Sequence, residues 1–355
     1  MTDSSWIARW GLVLVLAAIA ALFSLLLPDT FPTWSNVHDI IVAQPPLVFI
    51  AFAALITLVV GQFDLSLGAN LGVCQYLVMQ LMVDSHVAWP LAVILAIAAG
   101  VAIGAFNALF VVGFGLNSFI VTIGVATILE GLLQLLSNGG NPIFGGAPQG
   151  FLDLGQTELL GLTLPVFYAL VAAIVLWLVL ERTVLGRQLR ATGANSVASV
   201  LSGIPTKRAT VTAFLLAGAM AGFAGVLASA RIGASDATSG PSYLLPAFAA
   251  AFLGATAVRP GFFNVWGTVI AIFLVAVGIT GLQLEGVESW VTPVFNGVVL
   301  LIAIGVSQLA STWQKRGRSD RERHTQGPAG EAESRKQGDG DRGSMAPETA
   351  PLKES

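Results

Sequence analysis

The chain has 355 residues, 55% of them hydrophobic and only 10% charged, with a mean hydropathy of +0.80. A soluble globular domain carries about 25% charged residues, so these proportions exclude one and indicate a polytopic membrane protein. One cysteine, Cys74, and three scattered histidines, His38, His86 and His324, offer no intramolecular disulfide and no metal cluster. No G-x-x-x-x-G-K-[ST] loop, HExxH, CxxC or GxSxG occurs, so neither nucleotide hydrolysis nor another enzymatic activity is indicated, and no cofactor or nucleic-acid partner is expected.

About 20 apolar residues are needed to cross a bilayer core of about 30 Å. Residues 10–27 form the first predicted span; they are long for a signal peptide and lack a clear small-residue cleavage site. The second span covers residues 40–60 and is interrupted at Pro45-Pro46. GQFDLSLG, residues 61–68, leads into a third span at 67–83. Further spans are predicted at 90–112, 117–137, 164–180, 210–230, 244–258 (opened by Pro246), 265–284 and 289–310. The expectation is an all-α protein of about ten transmembrane helices in two five-helix halves. Domain boundaries fall at 1–314 for the membrane part and 315–355 for a tail rich in Arg, Glu, Gly, Ser and Pro. That tail has too little apolar surface to offset ordering entropy and is expected to be disordered and cytoplasmic.

Charge tests this count. With the N-terminus inside, the inner segments hold Arg9, Arg182, Arg187, Arg190, Lys207, Arg208, Arg259 and the start of the tail. The outer segments hold Asp29, Asp39, Asp84, Asp153, Glu158, Asp236, Glu285 and Glu288, against Arg231 as their basic residue. Basic residues in short loops set orientation, so both termini are expected in the cytoplasm. Residues 181–208 are the long polar interval inside the apolar chain, and Glu181 is their single acid.

Gly100/Gly104 and Gly218/Gly222 have the small-residue spacing of close helix packing. Asp64 precedes an apolar helix and either caps it or faces a transport pathway, and Ser66 offers the same two roles. Asn107, Asn117 and Thr122 are neutral groups suited to helix-to-helix bonding or to a sugar's hydroxyls. Glu130 is either a snorkelling, water-exposed acid or a pathway group. Gly193 and Gly203 flank a small-residue stretch that suits a short helix lying along the inner membrane face.

Four blocks carry a family resemblance. GQFDLSLGANLGV resembles the GGIDLSVGS segment of ribose-type ABC permeases, the membrane subunits of bacterial sugar importers. GFGLNSFIVTIGVATILEGL, GRQLRATGANSVASVLSGI and FLGATAVRPGFFNVWGTVIA resemble three further segments of that family, in order and at consistent spacing. Gln62-Phe63, Glu130, the turn at 259–264 and Asn296 depart from the family pattern and leave the substrate open. The resemblance implies a monosaccharide importer of the bacterial inner membrane. Its partners would be a dimer of ABC ATPase subunits, an extracytoplasmic binding protein and a second permease copy, working by alternating access. It implies pathway residues Asp64, Ser66, Asn107, Asn117, Phe119, Thr122 and Glu130. It also implies an ATPase coupling loop with Arg190, Thr192, Gly193, Asn195, Ala198, Leu201, Ser202, Gly203 and Ile204. A permease for branched-chain amino acids or nucleosides is the nearer alternative, and an ion-coupled secondary carrier the more distant one.

Overall fold

The computed structural model describes residues 3–259 and 261–305, with side chains from Trp10 onward. The end of the tenth predicted span and the expected tail lie outside the described residues. The helices are α1 (Asp3–Leu26), α2 (Trp34–Ala43), α3 (Pro45–Val59), α4 (Leu67–Val83), α5 (Trp89–Ala108), α6 (Ser118–Leu136), α7 (Gln149–Gln156), α8 (Leu164–Arg182), α9 (Val184–Ala194), α10 (Ser196–Leu201), α11 (Thr206–Ile232), α12 (Gly240–Gly254), α13 (Val265–Leu284) and α14 (Val291–Gly305). A single π turn, Leu109–Gly113, extends α5.

Among the described residues, five helices are long and apolar enough to cross a membrane, or six if α2 and α3 form one bent span. Trp10–Leu26, α4, α12 and α14 are apolar but shorter. The interruption expected at Pro45-Pro46 is a bend of 42° between α2 and α3. Pro45 and Pro46 open α3 and have no N–H groups to continue the hydrogen bonds of α2, while Gln44 itself keeps right-handed helical backbone. The eighth predicted span differs: Pro246 lies inside α12, which begins at Gly240. Pro246 is buried, and packed neighbours allow a membrane helix to tolerate the missing N–H. The all-α expectation has one small exception, the hairpin of β1 (Glu158–Leu159) and β2 (Leu162–Thr163). Its turn residues Leu160 and Gly161 both have positive φ, as a type I′ hairpin turn requires.

The core is built around α3. Every residue from Ile50 to Ile56 is fully buried, and the helix packs against α4, α8, α11 and α12. A helix apolar on all sides is one enclosed by others. Helix α11 packs against α3, α4 and α5. Its Gly218 and Gly222 meet Gly100 and Gly104 of α5, and a Cβ placed on Gly100 would lie 2.6 Å from the Gly218 carbonyl oxygen. Lipid supplies no hydrophobic drive for association, so such backbone approach is how the two helices gain van der Waals contact. The outer surface is apolar as well: Leu14, Ile94, Ile128, Val171 and Leu301 are all exposed.

Candidate substrate pathway and coupling surface

Between α3 and α4 the backbone of residues 60–66 is irregular, and side chains from other helices satisfy it. The Ser118 hydroxyl of α6 accepts from the Phe63 N–H at 3.1 Å. Thr122 Oγ1 accepts from the Leu65 N–H at 3.0 Å and donates to the Ser118 carbonyl at 2.8 Å. Asp64 and Ser66 are both buried, and Asp64 Oδ1 accepts from the Ser66 N–H at 3.0 Å and from its hydroxyl at 2.6 Å. Asn107 Nδ2, from the end of α5, donates to Ser66 Oγ at 2.8 Å and to Asp64 Oδ1 at 3.3 Å. Irregular backbone at membrane depth persists where protein satisfies it, and here hydroxyls, an amide and a carboxylate do so.

The structure thus brings Asp64, Ser66, Asn107 and Thr122 together around one break. Asp64 does not cap α4, whose first residues receive no side-chain hydrogen bond. Asn117 caps α6, its Oδ1 accepting from the Phe119 N–H at 2.9 Å and the Ile120 N–H at 3.4 Å. Glu130 stands apart, on the exposed face of α6 and roughly 12 Å along the axis from Thr122 at 1.5 Å per residue.

Two adjoining clefts open beside the break. One, of about 700 Å³, includes Gln62, Phe63, Asn117, Ser118 and Phe119 in its lining. The other, of about 560 Å³, reaches Thr192, Gly193, Asn195, Ser196 and Lys207. Neither is lined by Asp64, Ser66, Asn107 or Thr122. Phe63 is the centre of an aromatic group: its ring centroid lies 6.3 Å from Phe119, 6.2 Å from Phe248 and 6.3 Å from Phe252. Sequence reasoning noted Gln62 and Phe63 only as departures from a family pattern and passed over Ser118. An aromatic beside amides and hydroxyls was the available signal.

The polar interval folds into α9 and α10. Thr183 caps α9, and the Asn195 side chain caps α10 by accepting from the Ala198 N–H at 3.0 Å. The separation of the two helices therefore falls at Asn195, in extended backbone, rather than at Gly193, which is inside α9. Gly193 serves another purpose. A Cβ there would run into the Val59 carbonyl oxygen and lie 3.0 Å from the Val60 carbonyl carbon. The end of α9 is thereby seated against the end of α3, at the start of the break. Gly203 is a true helix terminator, with φ +79° and open space around it. Thr192 is buried and bonds the Gln188 carbonyl, whereas Ala198, Leu201, Ser202 and Gly203 lie on an exposed surface. Ile204 is half-buried, its N–H donating to the Ser199 carbonyl at 2.9 Å.

Arg190 points the other way. Its Nη2 donates to Glu181 Oε1 at 2.6 Å and its Nη1 to the Phe263 carbonyl at 3.4 Å. Arg259, between α12 and α13, binds the second oxygen of Glu181. Burial pushes the Arg190 guanidinium below its ordinary value; the Glu181 carboxylate opposes this and the Arg259 charge adds to it.

Apolar helices around a break whose backbone is satisfied internally define a multi-pass membrane protein. Residues 36–304 match the model of the branched-chain amino acid transport system / permease component family, and the chain belongs to that family. It is 30% identical over 303 residues to the D-allose transport system permease protein of Escherichia coli strain K12, covering 85% of this chain and 92% of that one. It is 36% identical over 256 residues to the ribose import permease protein of Bacillus subtilis strain 168, covering 72% and 79%. It is 28% identical over 302 residues to the L-arabinose ABC transporter permease protein of Azospirillum brasilense, covering 84% and 87%. No solved structure matches the chain. The resemblance to monosaccharide ABC permeases read from the four sequence blocks is borne out, and the chain is a transporter membrane subunit rather than an enzyme.

Proposed function

We propose that this chain is the permease of an ATP-driven importer that carries a monosaccharide or similar neutral polar solute across a bacterial inner membrane. The observation that carries the reading is the seat of α9 on the end of α3, through Gly193 and Val59. A push on α9 and α10 from an ATPase pair would reach the break between α3 and α4 with no intervening element. Alternating access then follows as a rearrangement of that break, with Gln62, Phe63, Asn117 and Phe119 beside the solute. Asp64, Ser66, Asn107 and Thr122 hold the break's shape, and Glu130 meets a second permease copy or water. Arg190, Thr192, Gly193 and Asn195 position the loop, while Ala198, Leu201, Ser202, Gly203 and Ile204 face the ATPase.

A neutral solute suits the chemistry of the clefts, whose linings mix amides, hydroxyls and backbone with valine, leucine and phenylalanine side chains and have Lys207 as their charged member. The three relatives named above are permeases for sugars by name. Counting α1, α4, α12 and α14 as spans supports ten crossings in two five-helix halves, with both termini cytoplasmic. The domain boundary at residues 314–315 and the cytoplasmic tail belong to the same proposal. The partners are an ATPase dimer, an extracytoplasmic binding protein and a second permease.

The test is uptake of labelled D-ribose, D-allose and L-arabinose into proteoliposomes holding the permease with its partner ATPase and binding protein. ATP-dependent accumulation of one neutral sugar is the expected result. Accumulation driven by an ion gradient without ATP would make the chain a secondary carrier instead.

A further inference from the structure

Glu181 is the single acid in residues 181–208, and its carboxylate is divided between two arginines from different segments. One oxygen takes Arg190 of α9; the other takes Arg259 of the α12–α13 connection, 78 residues away in sequence. Arg190 adds a hydrogen bond to the Phe263 carbonyl of that connection. Asn264 completes the attachment: its Nδ2 donates to the Gly254 carbonyl at 2.9 Å and the Ala257 carbonyl at 3.0 Å, and its Oδ1 accepts from the Gly267 N–H. The segment carrying Arg259 and Phe263 is thus fixed to the end of α12 and the start of α13. Glu181 is 14% exposed and Arg190 25%, so that pairing is shielded from solvent more than a surface ion pair, whereas Arg259 is 59% exposed. Glu181 is the one acid in residues 181–208, so without it Arg190 has no carboxylate partner in that interval.

We propose that Glu181 is a positioning residue that couples α9 and α10 to α12 and α13, so that nucleotide-driven movement of the loop helices reaches both the α3–α4 break and the α12–α13 connection. This rests on the reading of α10 as the ATPase contact. Gly193 passes the displacement to α3 by direct contact, and Glu181 passes it to α12 and α13 by charge.

The experiment uses the permease assembled with its ATPase in proteoliposomes. A reporter cysteine replaces the exposed Phe262. The native Cys74 is fully buried and stays in place. The labelling rate by a water-soluble maleimide is measured without nucleotide and after trapping with MgADP and vanadate. The parent is expected to show a several-fold difference between the two states. Glu181→Gln should abolish that difference and Glu181→Asp should restore it, at parent ATPase assembly; a merely structural acid would alter the labelling rate in both states alike. Ala198→Asp, on the exposed face of α10, tests the underlying reading separately and should also abolish the difference. A parent-like difference in Glu181→Gln, with Ala198→Asp inactive, would overturn the clamp and leave the coupling loop standing. A parent-like difference in both would overturn the two together.

Discussion

Asp64 receives three donors, the Ser66 N–H, the Ser66 hydroxyl and Asn107 Nδ2, while fully enclosed. Asp64→Asn, keeping the oxygen that takes all three donors, turns Oδ2 into a donor that faces Asn107 Nδ2 at 3.5 Å. A buried mismatch of this kind costs about 1–3 kcal/mol. The variant is therefore expected to lower the thermal unfolding midpoint in detergent, whereas Thr127→Val, on the exposed face of α6, should leave it unchanged. Parent-like unfolding of Asp64→Asn would mean that the carboxylate is not needed for the break. The sequence showed an acid before an apolar helix and left a cap and a pathway group as the choices. It could not show the arrangement seen here, because Asn107 and Thr122 reach the break only once α5 and α6 are packed. Ser118 was invisible for the same reason: its backbone partner at Phe63 is 55 residues away.

Among the elements, close packing by α5 and α11 was the most legible, since glycines at four-residue spacing have few other uses, but the sequence did not show that the two helices pack on each other. Gly100→Val puts carbon against the Gly218 carbonyl and the Gly222 Cα, neither of which can rotate away. Overpacking costs typically 1–3 kcal/mol and more against backbone, so a lowered yield of folded protein by size-exclusion profile is expected. Gly124→Val, where nothing lies within 4 Å, is the control that should match the parent in folded yield. The bend at Gln44 was legible from two prolines, but the passage of α12 through Pro246 was not. Local propensity marks a proline as a boundary, and only burial by neighbouring helices overrides it. The π turn after α5 left no signal in the residues themselves. Gly193 was legible as a special position with the wrong reason attached: it yields space to α3 rather than breaking a helix.

Across the whole molecule, charge was legible while its pairing was not. The proposed orientation puts α9 and α10 on the inner face and the β1–β2 hairpin on the outer face. Leu160, 89% exposed at the hairpin turn, should label from outside as Leu160→Cys, and Ser319→Cys from inside; labelling of both from one side would contradict the ten-span arrangement. Deletion of residues 317–355 should leave uptake near the parent level, since their composition gives them little to bury; loss of uptake at normal membrane level would assign the tail a role. The Glu181–Arg259 pair joins the last turn of α8 to the distant α12–α13 connection, which no spacing rule encodes. The central claim is that the loop helices act on the pathway through their seat on α3. It is tested most directly by sugar accumulated per ATP hydrolysed in proteoliposomes containing Gly193→Ala, with Gly11→Ala as the comparison. Gly193→Ala forces α9 away from Val59, whereas a Cβ at Gly11 of α1 meets nothing within 4 Å. The account predicts that Gly193→Ala, at normal membrane level, hydrolyses ATP yet accumulates several-fold less sugar per ATP, while Gly11→Ala matches the parent. Parent-level accumulation per ATP in Gly193→Ala would contradict it.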